Sequence, residues 1–573
     1  MKSVLRIPIL LSVALAGFSI VAFGQEPTAS NQSNTLLPGG GAQADLGQAR
    51  SSAAIAVNMS EVPAGTPRNV LPPPAPRGGI SAEEDKARKA EAAKGLSFAP
   101  GGQTGAAPAS ENGRETPGAS RAFRGQSQQG TIAPADMAVA VSANYVVQLV
   151  NSSIAVYNKS GVIQPGFPKP LSTFFSNNTG DIGDVRAFYD WSYQRFVVLA
   201  DDFTAGVIHV AASATSNPLG AWYQYTFAPW GAADCRTNTP CPDFPQLGYD
   251  TSTIYIGVNF FANATTFSSD WMLLLPKAKI YAGAPFGYNF WFNLSWNGVR
   301  VDTVHPSVPV AVADDPRAGL AVSSFNINSG GGQCLNGCNG LVFWAFSNNL
   351  PATGSPGPEL SAVGVATAHN YSLPASANEP GCAGCIDTGD VRISGTPTYH
   401  TGVITASLNT NGSDAHSHAL WFQARVFLND NDARCTGAFL NDCPRITSAQ
   451  LLNEDCFFCG GQGAAGSSFY GALAPTVGGD VTMVYNYSDN NTNVESAYTA
   501  RRATQAQNTM HDPGFILCGG SSTAVGRWGD YEANVIDLSS TPQSTWFSGM
   551  NALGGGTWGT CIGNDGYGAI NQP

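Results

Sequence analysis

The chain has 573 residues, of which 12% are charged and 10% aromatic, and it contains 65 glycines. This length allows several domains or one large repeat domain, and the composition is typical of an all-β extracellular protein. The formal net charge of -12 comes without a Lys/Arg stripe, so a nucleic-acid partner is excluded because an acidic surface repels phosphate.

The first 24 residues have the layout of a signal peptide. The basic start MKSVLR precedes the apolar run IPILLSVALAGFSIVAF, and the small-x-small sequence at residues 22–24 comes directly before Gln25. An uncleaved membrane anchor is the alternative, because the run approaches the length of a membrane span. We expect a secreted mature chain, extracellular or periplasmic, with no membrane span after signal cleavage.

Residues 25–125 are rich in Pro, Gly, Ala and Ser and almost lack aromatic residues. Such a segment buries too little surface to offset its chain entropy, which predicts disorder. Within it, SAEEDKARKAEAAKG (81–95) predicts a short helix with Ser81 as N-cap and Glu84 at N3. The helix has no apolar face, so we expect it to be solvated. The folded domain is predicted over residues 126–573.

From about residue 131 onwards, short apolar strands alternate with turns rich in Asp, Ser, Gly and Pro. Seven such two-strand units recur, at 137–158, 185–202, 245–261, 307–325, 395–409, 470–487 and 531–549. About four strands per unit, repeated radially, predict an all-β seven-bladed β-propeller. Six or eight blades, a β-sandwich pair and a β-helix are the alternatives. The run WGTCIG (558–563) is expected near the outside of the last blade, and an earlier strand of the chain is expected to close the ring.

The cysteines agree with an oxidising destination. All twelve follow residue 230, and their spacing predicts the pairs Cys235–Cys241, Cys334–Cys338, Cys382–Cys385, Cys435–Cys443, Cys456–Cys459 and Cys518–Cys561. Two alternatives concern CAGC and CFFC. These motifs would supply four thiolates to zinc, although about seventy residues separate them, or they would be redox-active.

The residue that precedes each innermost strand is expected to face the propeller axis. The candidate acids are Asp136, Asp184, Asp243 and Asp530. The candidate ligand-binding residues are Arg186, His305, Tyr399, His400, Arg527 and Trp528. Converging carboxylates with Arg and His can bind a cation, orient a polar ligand such as a sugar, or perform acid–base chemistry. The structural alternative is that each Asp only caps its turn.

No cofactor is required by this pattern. A structural Ca2+ stays an alternative, because Asp430 and Asp432 alternate in an Asn-rich loop. The fingerprints GxSxG, HExxH, the P-loop and the dinucleotide motif are absent from the sequence. The common serine hydrolase, metalloprotease and nucleotide-binding classes therefore lose support.

The runs GDVRAFYDWSYQRFVVLADD, DFPQLGYD, HPSVPVAV and RWGDYEANVID resemble exported bacterial β-propeller proteins, and are distantly similar to the sialidase-like propeller superfamily. The resemblance covers about residues 130–570 and implies the fold more than an activity. The sialidase Asp-box, Ser-x-Asp-x-Gly-x-x-Trp, does not occur in clean form. Arg186 and Arg527 are the only arginines expected at blade starts, one fewer than the sialidase arginine cluster.

The sequence therefore predicts a monomeric, secreted propeller that binds an extracellular polar ligand, such as a glycan or cell-surface component, in its axial funnel. The first alternative is a glycoside hydrolase or lyase that uses two of the funnel carboxylates. The second is a structural or adhesion module. A ring of Asp around a narrow, plugged axis would instead favour a structural cation there.

Overall fold

Seven sheets follow one another along the chain, and the inner strands of neighbouring sheets contact one another until the last returns to the first, with Val308–Pro309 linking the fourth sheet to the fifth. The predicted seven-bladed β-propeller is thus confirmed. The computed structural model describes residues 41–65, 82–94, 116, 118–130, 132–175, 181–237, 240–263, 266–314, 316–327, 334, 337–349, 358–429, 444–457, 466–511, 514–521 and 527–565.

The first three blades each begin with a predicted two-strand unit. Blade 1 contains Ala138–Val141, Tyr145–Val150, Ser153–Asn158 and Lys169–Pro170. Blade 2 contains Ile182–Asp190, Arg195–Asp202, Val207–Ser213 and Ala221–Phe227. Blade 3 contains Cys241–Tyr249, Thr253–Asn263, Thr266–Pro276 and Phe286–Trp296, and the short strand Val299–Arg300 pairs with its last strand.

The other four blades repeat the pattern. Blade 4 contains His305–Pro306, Gly319–Phe325, Cys338–Ser347 and Glu359–Tyr371. Blade 5 contains Thr398–His400, Val403–Asn411, Ser417–Asn429 and Arg445–Cys456, and Val308–Pro309 pairs in parallel with its first strand. Blade 6 contains Ser467–Pro475, Val481–Ser488, Glu495–Arg501 and Phe515–Cys518. Blade 7 contains Ala533–Asp537, Ser544–Gly554 and Thr557–Asn564.

An earlier segment of the chain closes the ring, as predicted. The strand Arg121–Ser127 is the outermost strand of blade 7 and pairs antiparallel with Thr557–Asn564, so that Phe123 lies opposite Ile562. Because this strand starts at Arg121, the propeller begins slightly before the predicted boundary at 126. The outer position predicted for WGTCIG is corrected to third of four strands. The Cys518–Cys561 disulfide joins blades 6 and 7 at the closure.

Two pieces of the segment predicted to be disordered are ordered strands. Ala42–Ser51 is added to the outer edge of blade 3, and Ile55–Asn58 to the outer edge of blade 2. An outer edge presents unpaired N–H and C=O groups, and a strand without strong intrinsic preference can pair with them. Composition could not reveal this, because the stabilising partners lie more than 150 residues away along the chain.

Helical structure is sparse. The described helices are Ala82–Ala92, Leu171–Phe174 and Lys277–Tyr281, with 3-10 turns at Met59–Glu61 and Cys235–Thr237. The first confirms the predicted helix, while its proposed cap Ser81 lies outside the described residues. We expected this helix to be solvated all round, but one of its faces is buried. Lys89 and Ala92 are 3% and 1% exposed, and Lys89 forms an ion pair with Asp387.

Apolar side chains fill the spaces between neighbouring blades, because alternate residues of a strand point to opposite faces of its sheet. Six tryptophans are fully buried there: Trp222, Trp296, Trp344, Trp421, Trp528 and Trp558. Burying each of these side chains stabilises the fold by roughly 2–3 kcal/mol. The packing is what holds the inner strands in a ring.

Four of the predicted disulfides are present. They are Cys235–Cys241, Cys334–Cys338, Cys382–Cys385 and Cys518–Cys561. The zinc alternative is wrong for CAGC, since its two sulfurs are bonded to each other. The pair Cys435–Cys443 lies outside the described residues, as do Cys459, Asp430 and Asp432.

Candidate functional site

We name the two ends of the propeller axis after the direction of the innermost strands. Each innermost strand begins at the leading end and finishes at the trailing end. The four candidate acids Asp136, Asp184, Asp243 and Asp530 all lie at the leading end and are only 0–6% exposed. Asp136 Oδ1 accepts the Asp530 N–H at 2.7 Å, and Asp184 Oδ2 accepts the Phe244 N–H at 3.2 Å. The acids thus come from blades 1, 2, 3 and 7 and form one group, which we call the axial cluster.

A repeated backbone feature turns the chain into each inner strand. Five blades carry a non-glycine residue with left-handed φ at this point: Asp136 (27°), Asp184 (49°), Phe244 (53°), Thr303 (52°) and Tyr470 (56°). Such a conformation costs of order 1 kcal/mol or more and persists only where neighbouring groups hold it. In blades 2, 3 and 6 it coincides with a bulge in the pairing of the first two strands.

Asparagines from the preceding blade hold three of these strained residues. Asn151 Oδ1 accepts the Asp184 N–H at 2.9 Å, and Asn151 Nδ2 donates to Asp136 Oδ2 at 2.8 Å. Asn259 and Asn409 accept the N–H groups of Thr303 and Tyr470 at 2.7 and 2.8 Å.

Sequence reasoning missed these asparagines. Each of them follows an apolar residue late in the second strand of its blade, in LVN, GVN and SLN. The recurrence of an apolar residue followed by Asn at this position could have identified them. Their hydrogen bonds link neighbouring blades at the leading end.

Two arginines and two aromatic rings plug the axis beside the acids. The Arg186 guanidinium carbon lies 3.4 Å from the centre of the Tyr531 ring, and that of Arg392 lies 4.0 Å from the centre of the Phe244 ring. The two rings meet edge to face at 5.9 Å. Arg186 also donates to Ser394 O at 3.3 Å, so a side chain from blade 2 reaches the start of blade 5. The predicted open funnel is therefore corrected: the leading end is closed by a cation–π stack.

The charged rim of the cluster lies at blade 7. Arg527 donates to Asp530 Oδ2 at 2.7 Å, and its side chain is 34% exposed. Arg392 is the arginine that the sequence analysis missed, because its blade lacks a regular strand at this position and only Ile393 forms an isolated bridge. With Arg392, the leading end carries three arginines rather than the two that were expected.

Burial raises the pKa of every carboxyl in the group for which a shift is resolved. The pKa of Asp184 rises to about 8 through burial and through the charges of Asp243 and Asp530. The pKa of Asp243 rises to about 6 through burial, while Arg392 opposes the rise. Burial, followed by Asp530 and Asp184, also raises the pKa of Asp136. Between pH 6 and 8, protonated and ionised carboxyls therefore coexist within the cluster.

Buried polar atoms at the axis lack partners among the described residues. They are Asp243 Oδ2, Arg186 Nη2, His305 Nε2 and both carboxylate oxygens of Asp201. An unpaired buried donor or acceptor costs about 1–3 kcal/mol, which makes such atoms informative when several occur together. Both donors and acceptors occur among these atoms, and Arg186 reaches the segment next to Asp243, since its Nε donates to Pro245 O at 3.2 Å.

Four of the residues predicted to bind ligand are fully buried or lie at the other end of the axis. His305 is fully buried and bonds Ile393 O at 3.3 Å, and burial together with Arg186 holds its pKa well below the usual value. Trp528 is fully buried between blades and donates to Asn486 at 2.8 Å.

Tyr399 and His400 lie at the other end of their strand from Arg392. His400 Nδ1 contacts Asp314 Oδ2 at 2.7 Å there. The prediction placed these two residues before the innermost strand of blade 5, whereas that strand is Thr398–His400 itself and the two residues end it.

The trailing end contrasts with the cluster. A cleft of about 430 Å³ opens there among the last residues of the inner strands, including Val141, Tyr189, Tyr249, Pro475 and Ile536. A neighbouring cleft of about 300 Å³ has the ion pair between Lys277 and Asp190, 2.8 Å long, in its wall.

Two further searches concern only the described part of the chain. No group of three or more His, Cys, Asp or Glu side chains there has the arrangement to hold a metal ion. No helix there is both long and apolar enough to cross a bilayer.

No protein-family model and no curated protein matches the sequence. Among solved structures, the catalytic domain of the Coprinopsis cinerea GH62 α-L-arabinofuranosidase is 11% identical, with 69% of this chain and 96% of that chain covered and a TM-score of 0.25.

A polysaccharide lyase of family PL25, an ulvan lyase bound to a GlcA(1-4)Rha3S unit, is 9% identical, with coverages of 76% and 92% and a TM-score of 0.28. An exo-β-1,3-galactanase from Clostridium thermocellum is 10% identical, with coverages of 76% and 90% and a TM-score of 0.24. At these TM-scores the likeness carries no argument about the site, so the chemistry of this chain's own residues must carry it.

Proposed function

We propose that the protein is a secreted propeller that binds an extracellular glycan at the leading end of its axis. One observation carries the proposal. Asp243 Oδ2 and Arg186 Nη2 are a buried acceptor and a buried donor without partners among the described residues, and they lie within a cluster of acids and arginines. A sugar has neighbouring hydroxyls that donate and accept at once, so it can satisfy both atoms.

The ionisation of the cluster supports an uncharged ligand. Burial and mutual repulsion raise the pKa values of Asp136, Asp184 and Asp243, which shows that added negative charge is already unfavourable there. A carboxylate-bearing ligand would add to this repulsion. Neutral hydroxyls avoid it while still using the charged groups as strong hydrogen-bond partners.

Access is through the rim. The Arg527 side chain is 34% exposed and pairs with Asp530, whose backbone N–H is bound by Asp136. Movement of the partly exposed Arg527 side chain would uncover Asp530, the acid with which it pairs, without disturbing the buried stack of Arg186 on Tyr531.

The test is glycan-array binding by the full mature chain and by Asp243→Asn. The substitution keeps the size of the side chain but puts a donor or a neutral oxygen at the unpaired acceptor, so binding should fall at least about tenfold. Asp480→Asn is the matched control, since Asp480 pairs with Arg502 in a turn at the trailing end. Unchanged binding by Asp243→Asn, or no binding by the wild type to any glycan, would contradict the proposal.

The second candidate is a glycoside hydrolase or lyase. Burial raises the pKa of Asp184 and of Asp243, and because the two carboxyls interact they titrate as a pair that can hold one proton near neutral pH. A protonated and an ionised carboxyl side by side are the components of general acid–base catalysis.

Formation of new reducing or unsaturated ends from pooled polysaccharides would support the enzyme, provided that Asp184→Asn abolishes it. Binding of a glycan without any product would leave the binding function alone.

A further inference from the structure

The Cys382–Cys385 disulfide lies outside the seven blades. It closes the turn region of a separate two-stranded sheet, Ala377–Glu379 with Cys382–Ile386, in the connection between blades 4 and 5. Both cysteines are half-buried, and the two residues between them, Ala383 and Gly384, are exposed. A partner sulfur could therefore reach this disulfide without any blade opening.

The other described disulfides are built differently. Their cysteines are 4, 6 and 43 residues apart in sequence, against 3 for this one. Each of the others also has at least one cysteine that is less than 5% exposed, among them Cys235, Cys334 and Cys561. A disulfide that closes a short loop restricts the unfolded chain least, and an exposed one is the most readily exchanged.

A buried carboxyl stands beside one of the two sulfurs. Glu379 is 1% exposed, and its Oε1 lies 3.8 Å from Cys385 Sγ. A carboxyl in contact with a sulfur can pass a proton to it when it becomes a thiolate and remove that proton when it must become nucleophilic again. Neither the glycan proposal nor the packing of the blades uses this group.

The base of the hairpin is held firmly. Ala377 and Ile386 are fully buried and pack in one cluster with Trp528 and Tyr470. The Tyr470 hydroxyl also donates to Asp387 O at 3.3 Å. Opening of the disulfide would thus loosen the exposed turn while the strands below it stay in place.

We propose that Cys382–Cys385 is a thiol–disulfide exchange site that oxidises a dithiol in a polypeptide. A thiolate of the dithiol attacks Cys382 Sγ, since Cys385 is the cysteine that packs against the buried cluster. The Sγ–Sγ bond breaks, and Cys385 leaves with the electron pair and takes a proton through Glu379. The second thiolate of the partner then attacks the partner's own sulfur in the mixed disulfide and releases Cys382 as a thiolate. The dithiol is oxidised by two electrons and the protein disulfide is reduced.

The first experiment uses the full mature chain in a series of dithiothreitol concentrations. Free thiols are alkylated with a light reagent, the protein is then fully reduced and alkylated with a heavy reagent, and each cysteine peptide is quantified by mass spectrometry. Cys382 and Cys385 should be half-reduced at a thiol concentration at least about tenfold below that for Cys334 and Cys338. Equal concentrations, or earlier opening of Cys334–Cys338, would overturn the proposal.

The second experiment supplies a reduced peptide that contains two cysteines. Wild-type protein should form one peptide disulfide per chain, and so should the matched control Cys334→Ser/Cys338→Ser. Cys382→Ser/Cys385→Ser should form none. Absence of peptide oxidation by the wild type would overturn the activity even if the disulfide is easily reduced.

A third experiment tests the role of Glu379 through the pH dependence of the exchange rate. Glu379→Gln should slow exchange severalfold and flatten the dependence of the rate on pH, because an amide cannot relay a proton. A purely structural glutamate would change the melting temperature but leave the shape of the rate–pH profile unchanged, and that result would remove Glu379 from the mechanism.

Discussion

The two ends of the propeller axis are made from the same seven strands, yet they differ in almost every property. At the leading end, four acids and Arg186 are buried, Asp136 and Asp184 have left-handed φ, and the rings of Phe244 and Tyr531 pack beside them. At the trailing end, aliphatic, aromatic and proline side chains surround an open cleft of about 430 Å³. Charged groups occur at both ends, but at the trailing end they form separate ion pairs such as Lys277–Asp190, whereas the four acids of the leading end form one group.

This difference has a physical origin in how each strand starts. A left-handed residue stands at the start of the inner strand in five blades, and its strain must be held by hydrogen bonds, which come from the preceding blade or from the same blade. Asn151 supplies such bonds to both Asp136 and Asp184. A strand end needs no such device, so the trailing residues are free to be apolar. The four predictions below test this contrast, beginning with the largest expected effect.

Replacing Arg186 with Ala should destabilise the protein most. Arg186 is 3% exposed, stacks on Tyr531 and balances the buried acids, so its removal should lower the free energy of unfolding by about 3–5 kcal/mol. Arg186→Lys should be intermediate, because it keeps the charge but not the flat stack. Urea unfolding under oxidising conditions measures both.

The matched control is Arg445→Ala, which removes an ion pair with Glu359 from a side chain that is 41% exposed. Its effect should stay below about 1 kcal/mol. If Arg186→Ala were as mild as this control, the leading end would not be plugged as described.

Asn151→Ala should cost about 1–3 kcal/mol in the free energy of unfolding, because it leaves the buried Asp184 N–H without its acceptor. Asn158, at the trailing end of the same blade, is the control. It caps an exposed turn through the Ser160 N–H at 2.9 Å, and its replacement by Ala should cost less. Equal losses at Asn151 and Asn158 would show that the two ends are not held differently.

Stability should fall as the pH rises. A carboxyl whose pKa is higher in the folded than in the unfolded chain binds more protons when folded, so its contribution declines as the pH rises from about 4, the unfolded value, towards the folded value. For Asp184 the folded value is about 8. The melting temperature should therefore be lower at pH 8 than at pH 5, and Asp184→Asn should show a smaller difference. A wild-type profile that rises with pH, or a variant parallel to it, would contradict the buried cluster.

Trp191→Ala at the trailing cleft should have the smallest effect. Trp191 is only half-buried and lines the open space, so its loss should cost about 1–2 kcal/mol of stability. Glycan binding should be unchanged in this variant and reduced in Asp243→Asn. The reverse result would move the binding site to the trailing end.

Parts of the site could be predicted from the sequence because they repeat. Asp136, Asp184, Asp243 and Asp530 each precede an apolar strand, and a ring must bring such positions together. Arg392 was missed because the first strand of blade 5 is interrupted. Only Ile393 forms a bridge near Arg392, and the regular strand starts several residues later, at Thr398. His305 and Trp528 were named correctly as blade-start residues, but the sequence could not show that neighbouring blades bury them completely.

The sequence by itself determined the seven two-strand units, the all-β class and the cysteine spacing, because these depend on local alternation and turn residues. Only the tertiary structure decided that Arg121–Ser127 closes blade 7 and that Ala42–Ser51 and Ile55–Asn58 join blades 3 and 2. It also decided that Arg186 crosses the axis to Ser394, 208 residues away. These features depend on which strand edges and side chains come into contact when the ring closes. Such contacts join residues far apart in the sequence, so no local sequence pattern predicts them.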